Sequence, residues 1–308
     1  MRKVTIYENR ALYRDDFRIE GYTFGKGKKA VCIVGNMRGN EYQQIYTCAQ
    51  LVQNLKWAEK NGYLTDGYKI LIVPSLNPYS MNIEKRFWPT DNTDINRMYP
   101  GYDQGETTQR VAAGIFNAIK DYEYGIQFCS NYLQGRFVPN ISVMTTGYED
   151  VEDAKLFGVP YVEIRHTKPY DTATLNYNWQ IWECKAFSFY TASNGNIDKE
   201  SSEMAVQAVG RFLNRIGILN YNIRPGYDSQ VVSTTDLESV RTKAAGIFEP
   251  LVNPGDEVYE GSVLARIISP LNGEVISKCI SPCNGIIFYM FDGQMTYEKT
   301  SVFKIIPM

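Results

Sequence analysis

The chain has 308 residues, enough for one large hydrophobic core and a smaller second domain. Its 32 Lys and Arg residues nearly balance 34 Asp and Glu residues, and with a net charge of -2 and no basic run we expect no nucleic-acid partner. Residues 1–22 carry frequent charges, and no window reaches the ~18 apolar residues of a membrane span. We therefore expect a cytoplasmic protein that does not contact a membrane.

Cysteine and histidine usage restricts the metal chemistry that this chain can support. The six cysteines occur without a secretory signal, which favours free thiols over a disulfide framework. Cys279 and Cys283 are too few and too oddly spaced for a zinc site. His166 is the only histidine, whereas catalytic zinc sites usually use two or three imidazoles. An ordinary zinc site cannot be assembled from it.

The first third of the chain alternates predicted strands with one long helix. Residues 4–10 and 17–25 alternate apolar and polar side chains, which predicts two antiparallel strands. Residues 29–35 form a continuous apolar run, typical of a strand covered on both faces. Apolar residues at helical intervals predict a helix over 41–62, and residues 68–78 read as a second buried strand that Pro78 ends.

The pattern continues to about residue 235 and then changes. Helices are predicted over 107–120, 150–158 and 198–219, and strands over 124–130, 159–166 and 182–192. Alternating strands and helices favour a layered α/β domain over residues 1–235. From residue 236 to 308, short β-rich runs are divided by Pro-Gly, Glu-Gly and Asn-Gly turns, which predicts a smaller all-β domain.

The segment 77–101 is too polar and aromatic for a core element and too long for a simple connection. It brings Arg86, Asp94, Asn96 and Arg97 close together in sequence, so guanidinium groups are available to bind a carboxylate and Asn96 can add a hydrogen bond. We predict that these four residues bind the substrate. A salt-bridged surface loop is the other interpretation.

The same segment, "NPYSMNIEKRFWPTDNTDINRMYPG", resembles the signature loop of the succinylglutamate desuccinylase/aspartoacylase family, which is related to zinc carboxypeptidases. "GNMRGNEYQ" stands where the family has Gly-x-His-Gly-x-Glu, and "GDEVYEGSVLARI" with "SPCNGII" is similar to the family's C-terminal β domain. The resemblance implies an α/β fold with a carboxypeptidase-like mixed sheet flanked by helices and a smaller C-terminal all-β domain.

The resemblance also implies a zinc-dependent hydrolase of N-acyl amino acids, with zinc held by a His, a Glu and a second His, and a further Glu as general base. Matched residue by residue, Glu41 is kept and Arg38 stands at the first His position. Gln127 and Cys129 occupy the positions of an Asp-x-His element, and Tyr190 stands near the expected catalytic Glu. The binding loop is therefore retained while the metal positions are substituted, as in a pseudoenzyme.

These substitutions argue against the family's reaction. A guanidinium and a zinc ion are both positive, so we expect Arg38 to pair with Glu41 and to supply the charge that zinc would bring. Tyr190 is a poor base at neutral pH because the reference pKa of tyrosine is about 10. We expect no cofactor. Glu163 is an alternative carboxylate, although the resemblance puts the base position later in the chain.

Three functions remain open from the sequence. The first is a divergent family member that binds a small N-acyl amino acid or peptide-like carboxylate without hydrolysing it. The second is an active amide or ester hydrolase with an atypical zinc site built on Glu41 and Cys129, or with Cys129 as a nucleophile. The third is a protein-binding role for the tyrosine-rich surface and the β domain, for which the chain has 23 tyrosines. A homo-oligomer is compatible with each function.

Overall fold

The computed structural model describes residues 1–10, 16–130, 135–191 and 196–308. The first ten strands along the chain are Arg2–Asn9 (β1), Phe17–Gly25 (β2), Gly27–Asn36 (β3), Gly67–Ser75 (β4), Tyr124–Cys129 (β5), Gly135–Phe137 (β6), Asn140–Met144 (β7), Tyr161–Arg165 (β8), Lys185–Tyr190 (β9) and Gln230–Ser233 (β10). Within the described ranges, nine of them form one mixed sheet in the order β1-β2-β4-β3-β5-β9-β7-β8-β10. The predicted α/β fold class is confirmed.

Helices cover both faces of this sheet. They are Tyr42–Lys60 (α1), Pro78–Met81 (α2), Thr107–Ile119 (α3), Val151–Lys155 (α4), Leu175–Ile181 (α5) and Lys199–Arg215 (α6). Strand β3 is apolar on both of its faces because each face packs against helices. Ile33 packs in the core shared with α1 and α6, and Val34 packs in the core shared with α3 and α5. Side chains alternate along a strand, so a strand between two helical layers must be apolar at every position.

The C-terminal region forms two smaller antiparallel sheets. Its strands are Glu238–Arg241 (β11), Gly246–Pro250 (β12), Glu257–Val258 (β13), Val263–Ile268 (β14), Val275–Ile280 (β15), Gly285–Phe291 (β16), Met295–Thr296 (β17) and Ser301–Pro307 (β18). Among described strands, one sheet runs β11-β18-β16-β13 and the other β15-β14-β12-β17. The strand β6, which precedes this region by more than a hundred residues, pairs antiparallel with β16.

Most predicted elements agree with the structure. The early antiparallel pair β1-β2, the long helix α1 and the buried strands β3 and β4 are confirmed. The sequence analysis did not identify strand β7 or helix α5. The predicted boundary at residues 235/236 falls between β10, the last strand of the large sheet, and β11. In the part of the chain that the structure describes, no helix has the length and apolar character to cross a membrane.

Candidate functional site

The loop after β3 holds Arg38 in a buried network of two ion pairs. Its Nη1 lies 3.0 Å from Oε1 of Glu41, and its Nη2 lies 2.9 Å from Oδ2 of Asp94. Only 7% of the Arg38 side chain is exposed, compared with 4% for Glu41 and 14% for Asp94. The expected pairing of Arg38 with Glu41 is confirmed. We refer to Arg38, Glu41 and Asp94 as the Arg38 cluster.

Each carboxylate oxygen of Glu41 is already used within the protein. Oε2 accepts hydrogen bonds from the backbone N–H groups of Met37 and Arg38, both at 2.9 Å. Oε1 accepts from Nη1 of Arg38 and from the hydroxyl of Ser130. A carboxylate with two acceptor oxygens and four donors is well satisfied, so little of its capacity remains for a metal or a ligand.

The ionisable groups of the cluster are held in fixed charge states. Burial lowers the pKa of the Arg38 guanidinium, but Glu41 and Asp94 outweigh this effect and hold that pKa above its ordinary value. Burial raises the pKa of the Cys129 thiol to about 12. Burial likewise raises the pKa of Tyr190 well above that of a free tyrosine, and Cys129 adds to the increase. At neutral pH, Arg38 is therefore cationic while Cys129 and Tyr190 are neutral.

Strand register places polar side chains in a row on one face of the sheet. Cys129 of β5 pairs with Tyr190 of β9, and Tyr190 pairs with Asn140 of β7. The neighbouring row runs through Gln127, Ser188, Ser142 and Glu163. Directly paired residues point to the same face of a sheet, so four strands together present a polar strip in an otherwise apolar layer.

Beside this strip lies a small polar pocket of about 140 Å³. Its walls include Asn96, Arg97, Cys129, Arg165, Asn176 and Tyr190, and Arg38 also reaches it. The pocket therefore brings together residues from the signature loop and from the ends of β5, β8 and β9. Of the residues predicted to bind substrate, Asn96 and Arg97 line it, whereas Arg86 and Asp94 lie outside the described lining.

The signature loop is anchored at several points, which fixes its polar groups relative to the sheet. Trp88 and Ile95 are buried in the core on this side. Asp91 accepts a hydrogen bond from the backbone N–H of Thr108 at 3.0 Å. Asp94 caps the short 3-10 turn over Ile95–Arg97 by accepting from the N–H of Asn96 at 3.1 Å. The loop is thus an ordered wall of the pocket.

Three further residues of the pocket lining keep hydrogen-bond donors for a ligand. Asn96 accepts from the N–H of Leu175 at 3.1 Å through its side-chain oxygen, which leaves its NH₂ group available. Arg97 donates from Nη1 to the carbonyl of Tyr170 at 3.1 Å, and Arg165 donates from Nη1 to Asp171 at 3.2 Å. A guanidinium has five N–H donors, so both arginines retain several. We call Asn96, Arg97 and Arg165 the guanidinium wall.

Sequence reasoning missed Arg165 and Asn176. A signal for Arg165 exists: Tyr161, Glu163 and Arg165 alternate with Val162 and Ile164 along β8, which marks one face of the strand as polar. The polar face of β8 lies towards the pocket because β8 pairs with β7 in the observed register, which the sequence pattern does not indicate. Asn176 gave no local signal, since it lies on α5, which the sequence analysis did not identify.

The other residues considered from the sequence have different surroundings. His166 is exposed just beyond β8, and Glu163 is buried in β8 with 7% of its surface exposed. Both line a larger cleft next to the small pocket. All six cysteines are free thiols, as predicted. Cys279 and Cys283 belong to the core of the C-terminal region, far along the chain from this site.

The residues present do not fit a zinc ion of the kind that the family resemblance implies. Zinc needs three protein ligands and an open position, and no group of three His, Cys, Asp or Glu side chains is arranged for a metal among the described residues. Glu41 is saturated, Cys129 is a protonated thiol, and the Arg38 cation lies directly against the Glu41 carboxylate.

A family model supports the likeness that the signature loop indicates. Residues 27–127 match the model for the succinylglutamate desuccinylase/aspartoacylase catalytic domain. The matched range runs from the start of β3 to β5 and includes the loop, Arg38 and Glu41. A curated relative, N-alpha-acetyl-L-2,4-diaminobutyric acid deacetylase of Halomonas elongata, is 24% identical over 265 residues, covering 79% of this chain and 71% of the relative.

Solved structures show the same fold at low sequence identity. The ectoine utilization protein EutE (DoeB) of Ruegeria pomeroyi, in a product-bound structure, superposes with a TM-score of 0.79 at 17% identity, covering 95% of this chain and 90% of that one. A succinylglutamate desuccinylase from Silicibacter sp. TM1040 gives a TM-score of 0.80 at 19% identity, with 98% and 92% coverage. Both alignments extend through the C-terminal β region, so the whole architecture is shared.

Proposed function

We propose that this chain is a divergent member of the succinylglutamate desuccinylase/aspartoacylase family that binds a small carboxylate-bearing ligand, an N-acyl amino acid or a peptide end, and lacks the family's zinc-dependent amide hydrolysis; the family-model match and the curated deacetylase relative support this. The observation that carries this proposal is the two ion pairs made by buried Arg38, a permanent cation at the position that the resemblance assigns to the first zinc-ligand His. Breaking such a buried pair costs about 3–5 kcal/mol, so Arg38 does not leave readily to admit a metal.

The guanidinium wall supports recognition of a carboxylate. Arg97 and Arg165 present planar donor groups, which match the two oxygens of a carboxylate, and Asn96 adds a neutral donor. Asn176 lies in the same pocket with a buried side-chain oxygen that has no partner among the described residues. An N-acyl amino acid offers both a carboxylate for the arginines and an amide N–H for this oxygen.

The same pocket offers little support for hydrolysis. A general base with a pKa near the working pH contributes roughly 10²- to 10⁴-fold in rate. Tyr190 and Cys129 are both neutral at pH 7 because burial raises each pKa. Neither group can take a proton from water efficiently at that pH. The alternative, a deacylase with an atypical metal site on Glu41 and Cys129, therefore has less support.

The experiment combines binding and turnover on the purified full chain. Isothermal titration calorimetry is run with N-acetyl-L-alanine, N-acetyl-L-glutamate and N-alpha-acetyl-L-2,4-diaminobutyrate, the last chosen from the name of the Halomonas relative. Release of the free amine is measured with and without added zinc. We expect binding to at least one compound that Arg97→Ala abolishes, no turnover, and zinc well below one ion per chain.

A matched control is Arg224→Ala, since Arg224 is an exposed arginine outside the pocket. It should bind like the native chain. Turnover that is lost in Arg97→Ala but kept in Arg224→Ala would overturn the proposal in favour of an active hydrolase. Stoichiometric zinc that disappears in Cys129→Ser would point to the atypical metal site.

A further inference from the structure

A larger cleft of about 510 Å³ opens next to the small pocket. The two spaces share three lining residues, Arg165, Tyr170 and Tyr190, and so they adjoin each other. One side of the cleft comes from the end of β8 and the loop after it, and the other comes from β11 and β18 of the C-terminal region. A ligand in the small pocket can therefore extend towards the C-terminal sheet.

The small pocket and the cleft differ in volume, and so they suit ligand groups of different size. Pockets that enclose a drug-sized molecule usually measure about 300–1,000 Å³. The small pocket, at 140 Å³, is below that range and suits a single small group, whereas the cleft at 510 Å³ is within it. A ligand that fills both spaces must carry an elongated portion in addition to the carboxylate that the small pocket takes.

The cleft is strongly basic. Its described lining contains the fixed cations Arg165, Lys168, Arg241 and Lys304, against one carboxylate, Glu163. Within the described part of the chain, no ion pair involves Lys168, Arg241 or Lys304. Arg165 is paired with buried Asp171, so the excess positive charge of the described lining comes from Lys168, Arg241 and Lys304.

The strand register of the C-terminal sheet explains this excess. Ser239 of β11 lies opposite Lys304 of β18, and Arg241 lies opposite Ser301. Each basic side chain thus has a hydroxyl as its cross-strand partner, where an acidic residue would stabilise the pair, and the two cations are diagonal neighbours. A surface of two cations and two hydroxyls without a carboxylate is a set of donors suited to an oxyanion.

We propose that the cleft binds acidic side chains of a peptide whose C-terminal carboxylate occupies the small pocket. The inference rests on the proposed function, since the guanidinium wall holds the terminal carboxylate. The residues that precede the C-terminus then enter the cleft, and their carboxylates meet Arg241 and Lys304. An extended peptide advances about 3.3 Å per residue, so the acidic residues one and two positions before the C-terminal residue are the ones that enter the cleft first.

The test measures the affinity of full-length protein for four probes by calorimetry: N-acetyl-Ala, N-acetyl-Ala-Ala-Ala, N-acetyl-Glu-Glu-Ala and its neutral isostere N-acetyl-Gln-Gln-Ala. We expect the acidic tripeptide to bind about tenfold more tightly than the Gln peptide, and the advantage to shrink as salt is raised. The double variant Arg241→Gln/Lys304→Gln should remove this advantage and leave the affinity for N-acetyl-Ala unchanged.

The matched control is Lys243→Gln/Lys278→Gln, which removes two exposed cations of the same region outside the cleft and should keep the native preference. Urea midpoints verify that each variant is folded. Equal affinity for the Glu and Gln peptides, or a preference that survives in Arg241→Gln/Lys304→Gln, would overturn the proposal. If N-acetyl-Ala does not bind while the acidic peptide does so through Arg241 and Lys304, the cleft assignment stands and the proposed function fails. If no probe binds, both fail.

Discussion

Arg38 of the Arg38 cluster and the residues of the guanidinium wall line the same small pocket, yet the charged groups of these two regions are used differently. Arg38 makes two buried ion pairs, and Glu41 receives four internal hydrogen bonds. Among the described residues, Arg97 donates one hydrogen bond to a carbonyl, and Arg165 makes a single ion pair, with Asp171, where Arg38 makes two. Groups that are satisfied internally contribute to folding, while groups that retain donors can contribute to binding.

The largest expected effect is a loss of folding stability when Arg38 of the Arg38 cluster is replaced. Arg38→Met removes the cation from between Glu41 and Asp94 and leaves one buried and one partly buried carboxylate without their partner. We expect the free energy of unfolding to fall by about 3–5 kcal/mol. Urea unfolding measures this loss, with Arg224→Met as the exposed control. A loss of unfolding free energy below about 1 kcal/mol would show that the ion pairs of the Arg38 cluster do not stabilise the fold.

The second prediction is that a substitution in the guanidinium wall weakens ligand binding and leaves the stability of the fold nearly unchanged. Hydrogen bonds to a charged group contribute about 1.5–3 kcal/mol, so Arg97→Ala should weaken the binding of N-acyl amino acids roughly 10- to 150-fold. Its unfolding free energy should change little, because its hydrogen bond to the Tyr170 carbonyl is exposed. Calorimetry and urea unfolding of the same sample separate the two effects. A large loss of stability with unchanged affinity would show that Arg97 contributes to folding and not to binding, against the role assigned to the guanidinium wall.

The third prediction concerns Cys129, which lies between the two regions and has a pKa raised to about 12. A raised folded-state pKa stabilises the protein fully below the pKa of the unfolded thiol, about 8.5, and this contribution is lost as the pH rises towards 12. The loss is at most about 1.4 kcal/mol per pH unit for one group. Urea unfolding between pH 8 and 11 should therefore show a shallower decline for Cys129→Ala than for the native chain. Parallel declines would contradict the burial of this thiol.

The smallest effect is expected at Arg86. The sequence predicts that Arg86 binds the substrate together with Arg97, but only Arg97 lies in the described lining of the pocket. Arg86→Ala should change the affinity for N-acetyl-L-alanine less than about twofold, because Arg86 is not part of the pocket lining in the described residues. The same titration with Arg97→Ala supplies the reference. A loss at Arg86 as large as that at Arg97 would extend the guanidinium wall along the loop.

Some features of the site were predictable because their signals are local. Strand β3 shows a continuous apolar run, and Asn96 and Arg97 stand in a short motif next to their structural neighbours. The Arg38–Glu41 pair is three residues apart, which also made it predictable. Asp94 as the second partner of Arg38 is 56 residues away, and no spacing rule connects the two.

The remaining features depend on strand order and register. Arg165 reaches the pocket because β9 and β7 lie between β5 and β8, and β7 runs antiparallel to β9. The cationic face of the cleft exists because β11 pairs with β18 in one particular register. A shift of one residue would turn Lys304 to the other face of the sheet. Such long-range pairings follow from packing of the whole chain and cannot be derived from a local pattern.

The pairing of β6 with β16 has a mechanical consequence. Gly135, Arg136 and Phe137 form ladder pairs with β16, so backbone hydrogen bonds join the C-terminal sheet to the first region of the chain. The C-terminal region cannot swing away as an independent body without breaking these bonds and the contact between Phe137 and Tyr289, whose ring centroids are 5.1 Å apart. We therefore expect the cleft to keep its width between free and bound states, so that a ligand enters a preorganised space at little entropic cost.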